Sequence, residues 1–544
     1  MTSMQRRWVP GKGATHHGRR GFLACVSPIL LALVLVCVSS VRAAADGGGA
    51  SQCSISQVTD SAVQIYLVPA ISGTGIRTVT RSVIAASGAR PHGLFLFDER
   101  TEEQTTLIAG EGGFPPNLFV SIDDSGTRVA TASAQNLAGE NPDGNQEIFL
   151  FDTLTSTVVQ ITHTTGSALM NGHPMVSGDG TRVVFSSNYD LTGQNPDGNK
   201  DFFLYDATTR LLTQVTRTIG DVNENFAAVN GNGARIAFVS RGDLAGQNAD
   251  GNDEIFLMDT TTGAVTQITR TTGDGNVTVS LDDAGTRIAF SSDHDHTGQN
   301  PDGNIELFLF DTTTGTFAQI TRTSTGHNYF PSFNGDGTRI AFNSGSDLTG
   351  ENADGNDEIV LVDTTTGAFT QITHTQEISP SGQQAAPDRA ISKAGNRIAF
   401  VSTQDLTGSN PDHSSEIFVA SCDLVNELVS LAALPETFRA SPDTTGCPAG
   451  FTGTFSFAGR LATQASSPAI SDIRLQVNTL TNGNVLQNAD SGPAGLAATL
   501  TVPHSGDYAD GLLGPGETVD VPMVICLKDR SAFQFYVDVL GDHQ

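Results

Sequence analysis

The sequence predicts an all-β chain, made of a repeated four-stranded unit followed by a second β domain. Three observations carry this. Nearly the same stretch is written at Gly246 (GQNADGNDEIFLMDTTTGAVTQITRT), Gly298 (GQNPDGNIELFLFDTTTGTFAQITRT) and Gly350 (GENADGNDEIVLVDTTTGAFTQITHT), with further copies from Gly139 and Gly193. Each copy holds short runs rich in β-branched residues and phenylalanine, with no helical period. Tight Gly/Asp turns separate those runs.

The first 45 residues stand apart. They carry Arg6, Arg7, Lys12, Arg19, Arg20 and Arg42 but no acid, then an apolar run from Phe22 to Val41 and the small residues Ala43, Ala44 and Ala45. A basic segment, an apolar segment and an A-x-A-like site read as an export signal over residues 1–45. Arg19-Arg20-Gly21-Phe22-Leu23 resembles a twin-arginine motif. The run is long enough for a retained anchor, but Ser27, Pro28, Ser39 and Ser40 favour cleavage. The expected mature chain therefore has no transmembrane span and is periplasmic or secreted.

Removing the leader changes the electrostatics. Six of the 29 bases leave and all 58 acids stay, a formal charge of −35. Phosphate backbones repel such a surface, which argues against nucleic acid as a partner. Trp8, the only tryptophan, leaves too. Its loss counts against a sugar-stacking platform.

The repeat sets the architecture. The pattern G-x-R-[IV]-A-F places Arg128, Arg182, Arg235, Arg287, Arg339 and Arg397 at spacings of 54, 53, 52, 52 and 58 residues, and a weaker copy ends at Arg77, 51 before Arg128. Around Arg287 the four strand signals are NVTVSL, TRIAFSS, IELFLFD and TFAQITR. The turns DDAGT and DTTTGT join the first to the second and the third to the fourth. Four antiparallel strands at this period are the signature of a β-propeller blade. The stretches FNGDGTRIAFNS, DEIVLVDTTTG and QIT resemble TolB-type propeller repeats over about residues 54–421. That resemblance implies a propeller, commonly of six blades, whereas the repeats count seven. The TolB protein's N-terminal α/β domain has no counterpart here, so its partners are not carried over.

Closure is readable at the ends. The last unit stops after EIFVAS, and SISQVTD (Ser54–Asp60) resembles a fourth strand. The N-terminal strand thus completes the last blade of a propeller over residues 53–422, and a Cys53–Cys422 disulfide would pin it. Residues 423–544 alternate like sandwich strands between Gly/Pro turns, with GLLGPGETVDVPMVI similar to immunoglobulin- or fibronectin-like modules. There Cys447 and Cys526 are expected to bridge the first and penultimate strands. Four cysteines allow three pairings, and the other two remain open.

Strand order sends the tight turns to one end of the ring and the long loops to the other, where binding is expected. Two features mark the long-loop face. The first is N-x-D-G-N-x-[DE]: Asn195/Asp197/Asn199/Asp201, Asn248/Asp250/Asn252/Glu254 and Asn352/Asp354/Asn356/Glu358. Its alternating oxygens suit Ca²⁺. But Gly193, Gly246 and Gly350 stand where a first aspartate ligand belongs, so an Asx-stabilised turn is favoured. No metal or other cofactor is expected, with calcium at Asn352, Asp354, Asn356 and Glu358 as the alternative.

The second feature is a basic position closing the fourth strand: His163, Arg217, Arg270, Arg322 and His374. It forms either an anion-attracting ring or local salt bridges. All eight propeller histidines (His92, His163, His173, His294, His296, His327, His374 and His413) fall in long-loop connections. This resembles propeller lyases of the TolB-like class. Yet the innermost-strand starts, Val68, Phe119, His173, Phe226, Thr278, Phe330 and Asp388, hold one histidine and one carboxylate, too few for a metal site. No G-x-S-x-G elbow occurs, and 122 residues cannot hold a hydrolase domain. The expected function is a non-catalytic, exported scaffold binding a protein partner through the long-loop face. The alternatives are a metal-dependent lyase or hydrolase, and a calcium-stabilised structural or adhesion module.

Overall fold

The computed structural model describes residues 34–36, 53–60, 64–66, 69–84, 93–109, 120–166, 170–217, 222–376, 384–385, 389–422, 429–463, 469–529, 531 and 533–543. The expected leader lies outside them except for Val34–Val36, a short strand parallel to Phe533–Phe535.

Seven antiparallel sheets follow one another between residues 53 and 422. In sheet 5, Asn276–Leu281, Arg287–Ser292, Glu306–Asp311 and Thr316–Gln319 pair in chain order. Sheets 2, 3, 4 and 6 repeat this over residues 120–160, 171–214, 222–267 and 328–371. In sheet 1, both Gln64–Tyr66 and Ala70–Ile71 pair with Arg77–Ile84, which continues to Gly93–Asp98 and Glu103–Ile108. Sheet 7 runs Gln384–Ala385, Arg397–Ser402, Glu416–Cys422 and then Cys53–Gln57. The N-terminal strand does complete the last sheet, with Cys53 opposite Cys422 and bonded to it.

Burial explains the sequence pattern. Second strands such as RIAFSS and RIAFNS are buried at every position after the arginine, because neighbouring sheets cover both faces. The fourth strands are half-exposed, as in Thr316–Gln319. They form the outer rim, while first strands contact first strands of the neighbouring sheets and line the axis.

Two repeated side chains clip the sheets together. The arginine of G-x-R donates to a turn carbonyl of the next sheet: Arg182 to Gly233 at 3.0 Å, Arg235 to Gly285 at 2.7 Å and Arg287 to Gly337 at 2.9 Å. The turn glycine is required twice over. Gly233 has φ +68°, and a Cβ there would lie 2.6 Å from Arg182 Cδ. In sheets 2 to 7 the carboxylate opening the third strand is buried: Glu147, Asp201, Glu254, Glu306, Glu358 and Glu416. Glu306 accepts from Thr321 Oγ1, from the Thr323 amide at 2.5 Å and from Asn328 Nδ2 of the next sheet at 3.1 Å.

Beyond residue 428, two antiparallel sheets share one apolar core. Val429–Ser441, Gly453–Thr463, Thr518–Leu527 and Val485–Leu486 form one, and Ile470–Leu480, Phe533–His543, Thr499–Thr501 and Leu512–Leu513 the other. Phe455, Phe457, Ile473, Val521, Ile525 and Phe535 are among the core residues. In the long strand Val429–Ser441, Pro435 and a bulge between Leu434 and Arg439 interrupt the alternation. Cys447 is bonded to Cys526, but it sits in the loop after that strand rather than within the first strand.

Candidate functional site

The axis has two unlike ends. At the tight-turn end, backbone amides close a complete ring. Thr74 N donates to Asp124 O, Asp124 to Gly178, Asp179 to Gly231, Gly231 to Asp283, Asp283 to Gly335, Gly335 to Lys393 and Lys393 to Gly73, over 2.8–3.1 Å. Of the ring positions nearest the axis, Gly73, Gly178, Gly231 and Gly335 lack a side chain. Asp124, Asp283 and Lys393 fill the space they leave, and a Cβ on Gly178 would lie 2.7 Å from Asp124 Oδ2.

These three side chains and Arg389 form one charge cluster drawn from sheets 2, 5 and 7. Lys393 Nζ lies 3.1 Å from Asp124 and 2.5 Å from Asp283, and Arg389 Nη1 lies 2.7 Å from Asp124. Burial pushes the Asp124 carboxyl up, but Arg389 and Lys393 outweigh it and hold it below its ordinary range. For Asp283, burial and the charge of Asp124 prevail over Lys393 and raise it. Burial would lower Lys393, but the two carboxylates keep it raised.

The second domain docks on this same end. Arg397, the last G-x-R arginine, is only 5 % exposed because Asp538 reaches it at 3.5 Å. Asn396 Nδ2 donates to Gln476 at 3.0 Å, and Arg100 lies over the Tyr536 ring at 5.0 Å.

At the opposite end, the five basic residues stand at equivalent positions just beyond the outermost strands, so they edge the face rather than ring the channel. Each binds within its own sheet, 23 residues upstream. Arg217, Arg270 and Arg322 donate to Gln194, Gln247 and Gln299, whereas His163 and His374 lie 2.6 and 3.0 Å from Glu140 and Glu351. Arginine goes with glutamine and histidine with glutamate.

The N-x-D-G-N loops are ordered by their own amides. Asn352 Nδ2 donates to Asn356 O at 2.9 Å, and Asp347 Oδ1 accepts the Asn352 amide at 3.0 Å. Glu358 is taken up by Thr373 and Thr375. Among the described residues, no three His, Cys, Asp or Glu side chains come together as metal ligands.

The histidines are dispersed. His413 Nδ1 meets Thr403 O at 3.2 Å, and His294 Nε2 meets Gly273 O at 3.0 Å. His296 occupies the slot that holds Leu191, Leu244, Leu348 and Leu406 in other sheets, and it stacks on Phe317 with centroids 5.3 Å apart. Burial, helped by His294, pushes its pKa down to about 4. Of the inner-strand set, Val68, Phe119 and Asp388 lie outside the described residues, as does His92. His173 and Phe330 have left-handed backbones, φ +46° and +57°, at bulges in their first strands. Thr278 is buried against Ser291 at 2.6 Å.

Sequence reasoning missed the axial charge cluster. Its signal was the residue after the turn serine, aspartate or asparagine: glycine in four copies, and aspartate, aspartate and lysine in three.

No family model and no curated protein matches the sequence. Among solved structures, TolB from Acinetobacter baumannii is similar at 17% identity, covering 64% of this chain and 80% of that one, with a TM-score of 0.34. An oligogalacturonate lyase in complex with manganese is similar at 12% identity, covering 68% and 94%, with a TM-score of 0.45. The β-propeller domain of the Trilobed protease from Pyrococcus furiosus is similar at 11% identity, covering 66% and 94%, with a TM-score of 0.44. Likeness at this level assigns no chemistry to the chain. The ring of seven antiparallel sheets, closed by the N-terminal strand, is a β-propeller.

Proposed function

We propose that the protein is an exported, non-catalytic scaffold whose long-loop face binds a protein partner. One observation carries the reading. The tight-turn face is already engaged, by its closed amide ring, by the axial charges and by the docked second domain. The long-loop face bears no such cover among the described residues. Two disulfides agree with an oxidising compartment, and no described helix is long and apolar enough to cross a membrane.

The test is capture of a partner from envelope extract by three forms of the protein. Replacing Arg217, Arg270 and Arg322 together by alanine should weaken capture without unfolding, because exposed arginines contribute little stability. Asp179→Ala on the tight-turn face should capture like the parent. The proposal fails if the triple variant binds normally and Asp179→Ala loses its partner.

A further inference from the structure

Native proteins leave very few buried acceptors without a donor, and each one needs an occupant. Here such acceptors recur in register. In the loops of sheets 2, 4 and 6, the pairs Asn141/Asn145, Asn248/Asn252 and Asn352/Asn356 are all 5 % exposed or less. None of these six Oδ1 atoms has a hydrogen-bond partner, nor do those of Asn300 and Asn304 in sheet 5.

Their orientation is set by the amide nitrogens. Asn248 Nδ2 donates to Asn252 O at 3.0 Å and Arg241 O at 3.1 Å. Asn252 Nδ2 donates to Thr271 O and Gly273 O at 3.1 and 3.0 Å. Turning either amide round would face oxygen with oxygen, so the free atoms are carbonyl oxygens.

Sheet 7 shows where the first of them points. There serine replaces the second asparagine, and Ser414 Oγ lies 3.0 Å from Asn410 Oδ1, 3.0 Å from Asp412 Oδ1 and 2.8 Å from Glu416 Oε1. Oxygens from positions one, three and seven of the motif thus surround position five. The matching residues in sheet 6 are Asn352, Asp354, Glu358 and Asn356.

We propose that the N-x-D-G-N loops of sheets 2, 4, 5 and 6 each bind a calcium ion. In sheet 6 the two orphaned amide oxygens of Asn352 and Asn356 and the exposed carboxylate of Asp354 are the protein ligands, and water completes the shell. Glu358, whose oxygens already accept from Thr373 and Thr375, supplies charge from behind. Neutral hard oxygens with one carboxylate suit Ca²⁺ held weakly, in the millimolar range of extracellular modules, and suit Mg²⁺ poorly. In sheet 7 the Ser414 hydroxyl itself satisfies the Asn410 and Asp412 oxygens, which leaves that loop without bare acceptors for an ion.

The test uses the full chain after dialysis against chelator, with Ca²⁺ itself and with terbium as its luminescent stand-in. Millimolar Ca²⁺ should raise the melting temperature by several degrees, and MgCl₂ of equal ionic strength should raise it less. Asn356→Ser, which copies sheet 7, should lower the bound terbium by one equivalent. Asp354→Asn, at an exposed site, should weaken that same equivalent if the serine variant does not fold. Equal shifts with Mg²⁺ and Ca²⁺ would mean charge screening of an acidic surface, and overturn the proposal. So would no shift, or unchanged terbium in both variants, in which case bridging waters occupy the loops.

Discussion

Lys393→Met is the perturbation that most directly probes how the tight-turn end is held. Lys393 is the one cation within ion-pair distance of Asp283 among the described residues, whereas Asp124 keeps Arg389 at 2.7 Å. Removing it strands the half-buried Asp283 carboxylate beside the buried Asp124. Breaking a buried pair by deleting one partner costs about 3–5 kcal/mol. Proton uptake caps that cost. Protonating a carboxyl of ordinary pKa near 4 costs about 4 kcal/mol at pH 7 and about 1.4 kcal/mol at pH 5. Asp283 starts above the ordinary range, so both figures are upper bounds. A raised carboxyl binds its proton more tightly folded than unfolded, so its contribution worsens as pH rises through the folded value. The variant's deficit should therefore be largest at pH 7 and fall by more than half at pH 5. Calorimetry of parent and variant at both pH values reads this directly, because groups remote from the site cancel in the difference. Adding Asp283→Asn should remove the pH dependence. A deficit equal at the two pH values would show that lost packing of the lysine stem matters and the charge does not.

Asp538→Asn should uncouple the two domains, since Arg397 would keep its burial and lose its carboxylate. A loss of about 1–3 kcal/mol and a splitting of the calorimetric transition are expected, and an unsplit, unshifted transition would refute it. His296→Leu, the residue found in the other sheets, should stabilise the protein in acid. The imidazole is depressed from 6.5 to about 4, so the unfolded chain takes the proton first as pH falls between those values. Wild-type stability should decline there by up to about 3 kcal/mol relative to the leucine variant, measured as melting temperature against pH, and parallel profiles would contradict the buried neutral ring.

Much of the fold was legible because each copy meets the same surroundings. RIAFSS is buried at every position after its arginine, and EIFLMD is apolar between its terminal acids, since a neighbouring sheet covers each face, and the missing fourth strand after EIFVAS pointed to Cys53–Gln57. What stayed hidden depends on contacts across the ring. The G-x-R arginine answers to a carbonyl about fifty residues on, and the carboxylate of N-x-D-G-N-x-[DE] answers to threonines 15 and 17 residues away. Neither partner can be inferred from strand periodicity, so the motif's last carboxylate looked like a candidate ligand. Glu254 and Glu358 instead tie their strands into the sheet.

The basic residues show the limit most clearly. Register puts them at equivalent positions of successive sheets, but that says nothing about radius, and the fourth strand is the outermost. Their surroundings were nonetheless written in the chain. Arg217, Arg270 and Arg322 each follow a glutamine by 23 residues, and His163 and His374 each follow a glutamate by the same distance. A guanidinium facing a neutral amide and an imidazole facing a carboxylate are alternative ways to satisfy the same pair of positions. Repeats act as their own alignment, and two columns that change together mark side chains that touch. The same comparison isolates Ser414, the one copy whose fifth motif position carries a hydroxyl, and makes it the internal control for the loops of sheets 2, 4, 5 and 6.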